Sequence, residues 1–182
     1  MKQDVKHIFL TGEKQVGKST ALGKVLETLC EQGYRVGGFQ TLPFSIHNKR
    51  RGFYMHSLME RENDVNDIPI ALCFHTANGM RRMGITETFD CFGADLLREA
   101  LTDADIIWMD ELGRLEKEAT QFNQAVVECL NRGKHIVGVL QKTNREFLQE
   151  IASREDVMVL EVTIENRNEI AKKVLEALGE ML

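Results

Sequence analysis

The chain has 182 residues, 43% of them hydrophobic, and a formal net charge of −5. That size and apolar content suit a single domain with a real core, and the acidic balance argues against a dedicated nucleic-acid binder. No apolar run reaches the length of a membrane span, and the first strand begins too early to leave space for a signal peptide, so the expected compartment is the cytoplasm. Cys30, Cys73, Cys91 and Cys129 lie too far apart for a C-x-x-C pair, so neither a disulfide nor a zinc site is expected.

The first predicted elements are a short apolar strand, Ile8-Phe9-Leu10, and a helix carrying Leu22, Val25, Leu26 and Leu29. Between them Gly12-Glu13-Lys14-Gln15-Val16-Gly17-Lys18-Ser19 fits the G-x-x-x-x-G-K-[ST] pattern of a phosphate-binding loop. The two glycines let successive backbone N–H groups face one concavity, and the helix beginning there adds its partial positive charge. The motif gives Lys18 to the outer phosphates of a nucleotide and the Ser19 hydroxyl to Mg²⁺, with Thr20 a neighbour rather than the primary metal ligand. Lys14 is either a further cation near the phosphates or a solvated loop lysine.

A second strand, Tyr34 to Thr41, begins just past the helix-stopping Gly33. Phe44-Ser45-Ile46 and Gly52-Phe53-Tyr54-Met55 flank the polar segment from His47 to Arg51, which predicts a hairpin with three adjacent cations near its tip. Those cations read as solvated charge, with an anion or partner contact as the alternative. From about Glu60 to Asp90 the pattern is weak and reads as loops with short strands, in which Arg81 and Arg82 are candidates to reach a bound phosphate.

The second half is clearer. Helical segments Gly93 to Leu101, Thr120 to Leu130 and Arg145 to Ala152 alternate with the apolar runs Ile106 to Met109, Ile136 to Leu140 and Val157 to Leu160, and a last helix starts near Asn168. Uninterrupted apolar strands separated by helices predict an α/β fold, a mostly parallel sheet covered on both faces with a hairpin insertion, whose ligand sits at the carboxyl ends of the strands. The run ending in Asp110 resembles a Walker B strand delivering a carboxylate to Mg²⁺, and Glu111 beside it could align an attacking water. Asp110-Glu111-Leu112-Gly113 also fits the D-x-x-G of regulatory GTPases, but no N-K-x-D accompanies it, so guanine specificity has no support.

Taken in order, the phosphate loop, Gly38-Phe39-Gln40-Thr41, Arg51-Gly52-Phe53, Asp110-Glu111-Leu112-Gly113-Arg114-Leu115-Glu116 and Thr163-Ile164-Glu165-Asn166-Arg167 resemble the THEP-type nucleoside triphosphatases. The resemblance spans nearly the whole chain. It implies a RecA-like core and slow, Mg²⁺-dependent hydrolysis of several nucleoside triphosphates, ATP and GTP among them, to diphosphate and phosphate. It assigns Lys18 and Ser19 to phosphate and magnesium, Asp110 to the metal and Glu111 to the base. Asn166 and Arg167 match the family's late N-R pair: either they touch the base or phosphates, or Asn166 caps the final helix. The sequence departs from the family at Leu42-Pro43-Phe44 and over residues 75–88. Nucleoside triphosphates are the expected partners, with no membrane and no protein partner identified. Two other functions are compatible with the loop, a small-molecule kinase and a nucleotide-dependent binding module.

Overall fold

The computed structural model describes residues 5–60 and 65–182. Its sheet has eight strands in the order β5-β4-β3-β2-β6-β7-β1-β8. β1 (His7–Thr11), β2 (Val36–Ile46), β6 (Ile106–Leu112), β7 (His135–Leu140) and β8 (Val157–Glu161) run parallel, while β3 (Lys49–Ser57), β4 (Asp67–Thr76) and β5 (Gly79–Gly84) continue the sheet antiparallel.

Alternation along the parallel strands divides the core into two layers. Ile8, Leu10, Ile106, Trp108, Val137 and Val139 face one side, with α1 (Lys18–Glu31) and the last helix α6 (Ile170–Gly179) upon them. Phe9, Ile107, Met109 and Ile136 face the other, covered by α3 (Ala94–Asp103), α4 (Thr120–Asn131) and α5 (Glu146–Ser153). A short turn of helix, α2 (Thr86–Thr88), and a π-helical turn over Phe89–Gly93 lead into α3. Among the described residues no helix is long and apolar enough to cross a membrane.

The expected hairpin is larger than its sequence signal. β2 runs on through Pro43 to Ile46, and the chain reverses at His47 and Asn48, both with positive φ (50° and 61°), so Lys49, Arg50 and Arg51 open β3 next to the tip. The weak stretch after Glu60 contains a full second hairpin, β4 and β5, although residues 61–64 of it lie outside the described residues. Its pattern is weak because one face carries exposed apolar side chains, Leu72 at 37% and Phe74 at 41%, which blur the alternation.

His7 opens β1 fully buried, its Nε2 donating to the Leu130 carbonyl at 3.1 Å. Burial pushes its pKa from 6.5 down to about 4, against the opposing pull of Asp156. Between those values the unfolded chain binds a proton that the folded chain refuses, so this group's contribution falls as the pH falls, by about 3 kcal/mol across the window. His7→Gln should therefore lose less stability than the parent between pH 7 and pH 4.5. Urea midpoints of both proteins at the two pH values measure the difference, and equal losses would contradict it.

Candidate functional site

The carboxyl ends of β1, β2, β6, β7 and β8 meet along one edge of the sheet, where the parallel arrangement places a ligand. Between β1 and α1 the loop bends through three residues with positive φ, Gly12 (141°), Gln15 (62°) and Gly17 (116°). A Cβ at Gly12 would stand 2.5 Å from the Val162 carbonyl oxygen, so the loop passes β8 too closely for any side chain there. Lys18 Nζ donates to the carbonyls of Gly12 (2.8 Å) and Glu13 (2.7 Å), and burial lowers its pKa. Its ammonium thus lies across the loop it serves. Lys14, Ser19 and Thr20 are exposed, and Val16 anchors the loop in the α1 layer.

Asp110 ends the apolar run of β6. Its Oδ2 accepts the Thr41 N–H at 3.1 Å, and the Thr41 hydroxyl donates to its carbonyl at 2.9 Å. Burial raises its pKa to about 6, with Thr41 opposing and Glu111 adding to the rise. Neighbouring residues on a strand point to opposite faces, and Gly113 is the residue expected to supply the turn that reconciles them. The structure puts it elsewhere: Glu111 itself has φ of 63°, and Met109 pairs with Gly138 while Leu112 pairs with Leu140, one residue extra on β6. This bulge re-aims the Glu111 side chain. A left-handed backbone costs a residue with a side chain about 1 kcal/mol or more, and such strain concentrates at functional sites. Gly113 has ordinary backbone conformation, and a Cβ there would lie 2.8 Å from Gln141 Oε1, so a side chain would push the end of that glutamine aside.

Gln141 directly follows β7, the strand between β1 and β6, and its Nε2 donates to Glu111 Oε1 at 3.1 Å. Next to it Lys142 bridges Glu161 (2.6 Å) and Glu13 (3.4 Å), joining β8 to the phosphate loop. The sequence pattern singled out neither residue, although both directly follow a buried parallel strand.

Glu116, 2% exposed, closes the turn after Glu111 by accepting the Gly113 N–H at 2.5 Å. Arg145 donates to Glu116 (2.8 Å), to the Gly113 carbonyl (2.7 Å) and to Asn123 (2.8 Å). Burial raises the Glu116 pKa, and Arg145 counters it. Arg145→Met should leave this carboxylate buried without its counter-charge and destabilise the fold by about 3–5 kcal/mol, whereas adding Glu116→Gln should restore part of the loss. Urea unfolding of the two single variants and the double measures the coupling.

The late N-R pair divides. Asn166 does not cap α6, whose first residues follow Glu169 without a side-chain cap. Instead it closes a capping box with Thr163: Asn166 Oδ1 accepts the Thr163 N–H at 2.8 Å, and Thr163 Oγ1 accepts the Asn166 N–H at 3.3 Å. Its Nδ2 also donates to the Glu161 carbonyl at 2.8 Å. Arg167, on the turn so fixed, packs its Cβ and Cδ 3.6 Å from the position of a Gly17 Cβ. Of the other two candidates, Arg82 lies over the Phe53 ring at 4.9 Å on the side facing Glu111, and Arg81, its neighbour on the strand, points away.

Hard oxygen donors such as the Ser19 hydroxyl and the Asp110 carboxylate suit Mg²⁺, an ion commonly held by one or two protein groups plus phosphates and water. No cluster of three or more His, Cys, Asp or Glu side chains that could hold a metal occurs among the described residues. The site therefore fits a shared ion better than a dedicated protein cage.

The NTPase family model matches residues 7–175 of the chain. Nucleoside-triphosphatase THEP1 of Methanocaldococcus jannaschii is 33% identical over 172 residues, covering 92% of this chain and 94% of the relative. THEP1 of Thermotoga maritima is 25% identical over 177 residues, covering 94% of each. Among solved structures, a human cancer-related nucleoside triphosphatase superposes with a TM-score of 0.75 at 28% identity, covering 95% of this chain and 97% of that one. THEP1 of Aquifex aeolicus superposes with a TM-score of 0.70 at 21% identity, covering 94% and 98%, a likeness of fold.

Proposed function

Because this chain belongs to the THEP-type NTPase family and is a nucleoside triphosphatase, we propose that it hydrolyses nucleoside 5′-triphosphates of several bases, ATP and GTP included, in a Mg²⁺-dependent reaction in the cytoplasm. The observation that carries the reading is Glu111, strained to a positive φ and held by Gln141 beside the phosphate loop. Backbone N–H groups of Gly12 to Thr20 receive the phosphates, and the Lys18 ammonium leaves the loop carbonyls to contact the β- and γ-phosphates. Glu111 accepts a hydrogen bond from the attacking water and aligns it with phosphorus, with Gln141 fixing the carboxylate. Arg167, packed on Gly17, lies where it can meet phosphate or base. Mg²⁺ on Ser19 and Asp110, when bound, supplies positive charge to the phosphate oxygens.

Broad base use follows from the lack of an N-K-x-D guanine reader and from a loop that reads phosphates through backbone groups. Steady-state phosphate release across ATP, GTP, CTP and UTP, with Mg²⁺ and with EDTA, is the test. The expected result is hydrolysis of all four within about 100-fold in kcat/KM, or about 2.7 kcal/mol, and loss of turnover in EDTA. A preference beyond that range would overturn the broad-specificity reading, and tight binding without turnover would favour a binding module.

A further inference from the structure

We propose that the cavity beyond Glu111 is a second small-molecule site, built for an aromatic phosphate monoester of the nucleoside monophosphate class. The inference rests on the reading above that the phosphate loop takes the triphosphate. The cavity, about 470 Å³, lies between the antiparallel strands and the turn that follows β6. That volume falls in the range of small-ligand pockets, which pair apolar walls with a few placed polar groups.

Its walls are apolar and partly rigid: Ile70 and Phe89 are 1% and 3% exposed, and Phe53 and Met80 complete them. The Phe53 ring already carries two guanidiniums, Arg82 at 4.9 Å and Arg50 at 5.3 Å from its centroid, so a flat ring entering the cavity meets the Arg82 guanidinium and the Ile70–Phe89 wall, side chains already in place. Three cations, Lys14, Arg82 and Arg114, line the space. Against them stand Glu111 and Glu116, and the Glu116 carboxylate is already taken by Gly113 and Arg145. The local balance is thus positive in a chain whose net charge is −5, which selects an anion. Two guanidiniums favour phosphate over a single point contact, because each presents a planar pair of donors.

The cavity adjoins the nucleotide's own site through Thr41, Glu111 and Gln141 but extends away from the phosphate loop. From the phosphate loop only Lys14 lines it, whereas Arg167 covers Gly17 and does not. Gln141 also lines the cavity, its Oε1 buried without a hydrogen-bond partner and able to accept from a donor on the ligand's ring, while its Nε2 holds Glu111. An occupant would therefore touch both groups that the hydrolysis reading uses.

The test titrates AMP into the protein already saturated with a non-hydrolysable ATP analogue and Mg²⁺, followed by calorimetry. One AMP should bind per chain, adenosine at least tenfold more weakly, and Arg82→Ala should lose at least tenfold in AMP affinity while binding the analogue as the parent does. In Lys18→Ala, where the analogue is expected to bind poorly, AMP should still bind, so a failure of the phosphate-loop reading leaves this result intact. Displacement of AMP by the analogue, unchanged affinity in Arg82→Ala, or no binding at millimolar AMP would each overturn the proposal.

Discussion

Glu111→Gln is expected to lower kcat by about 10²–10⁴-fold while nucleotide affinity stays near that of the parent. The substitution keeps the length and shape of the side chain, and its Oε1 can still accept from Gln141 Nε2, now at 3.1 Å, so the turn after β6 should be undisturbed. What is lost is the negative charge that polarises and orients water. Ground-state binding of the triphosphate relies on the loop and Lys18, so the effect should appear in kcat and not in KM. Single-turnover phosphate release, with analogue binding measured separately, resolves the two terms. A near-normal kcat would make Glu111 a strained turn residue with no part in the reaction.

Lys18→Ala is expected to fail differently, weakening nucleotide binding by about 100-fold or more and lowering turnover with it. Each charge-assisted hydrogen bond from an ammonium is worth about 1.5–3 kcal/mol, and this one meets phosphate oxygens in both the ground and transition states. The fold should survive, because the Gly12 and Glu13 carbonyls that now accept from Lys18 sit at the site's edge where water can replace it. Calorimetric titration of the analogue, set beside the urea midpoint, separates loss of binding from loss of structure. Parent-like affinity in a folded variant would remove the loop lysine from the mechanism.

The phosphate loop, the Asp110 strand and the alternating helices were legible because each is a local pattern: glycine spacing, an apolar run ending in a carboxylate, a period of three to four. What Gln141, Thr41 and Arg145 touch was not, since those pairings span 30, 69 and 29 residues of chain. A glutamine after an apolar strand carries no period of its own; only the insertion of β7 between β1 and β6 brings it against Glu111. The assignment of the turn to Gly113 failed for a related reason. Glycine is the usual bearer of positive φ, but here that conformation falls on Glu111, inside the β6 bulge, and Gly113 keeps an ordinary backbone. Asn166 shows the limit of reading a cap from proximity to a helix, because its partner Thr163 starts a separate helical turn.

The strand order also sets a schedule for synthesis. β1, the earliest of the eight strands, pairs with β7 and β8 among the described residues, so His7 waits for Ile136 and Val157 before it has neighbours on either side. At about 5–20 residues per second a ribosome needs roughly 6 to 30 seconds to bridge that gap. Meanwhile β2 to β5 can already pair among themselves as consecutive hairpins. The phosphate loop is thus made well before the strands that give it its shape, and nascent chains become competent for nucleotide only after β8 has been made. Contacts this distant in sequence also slow closure of the parallel half relative to the hairpin half.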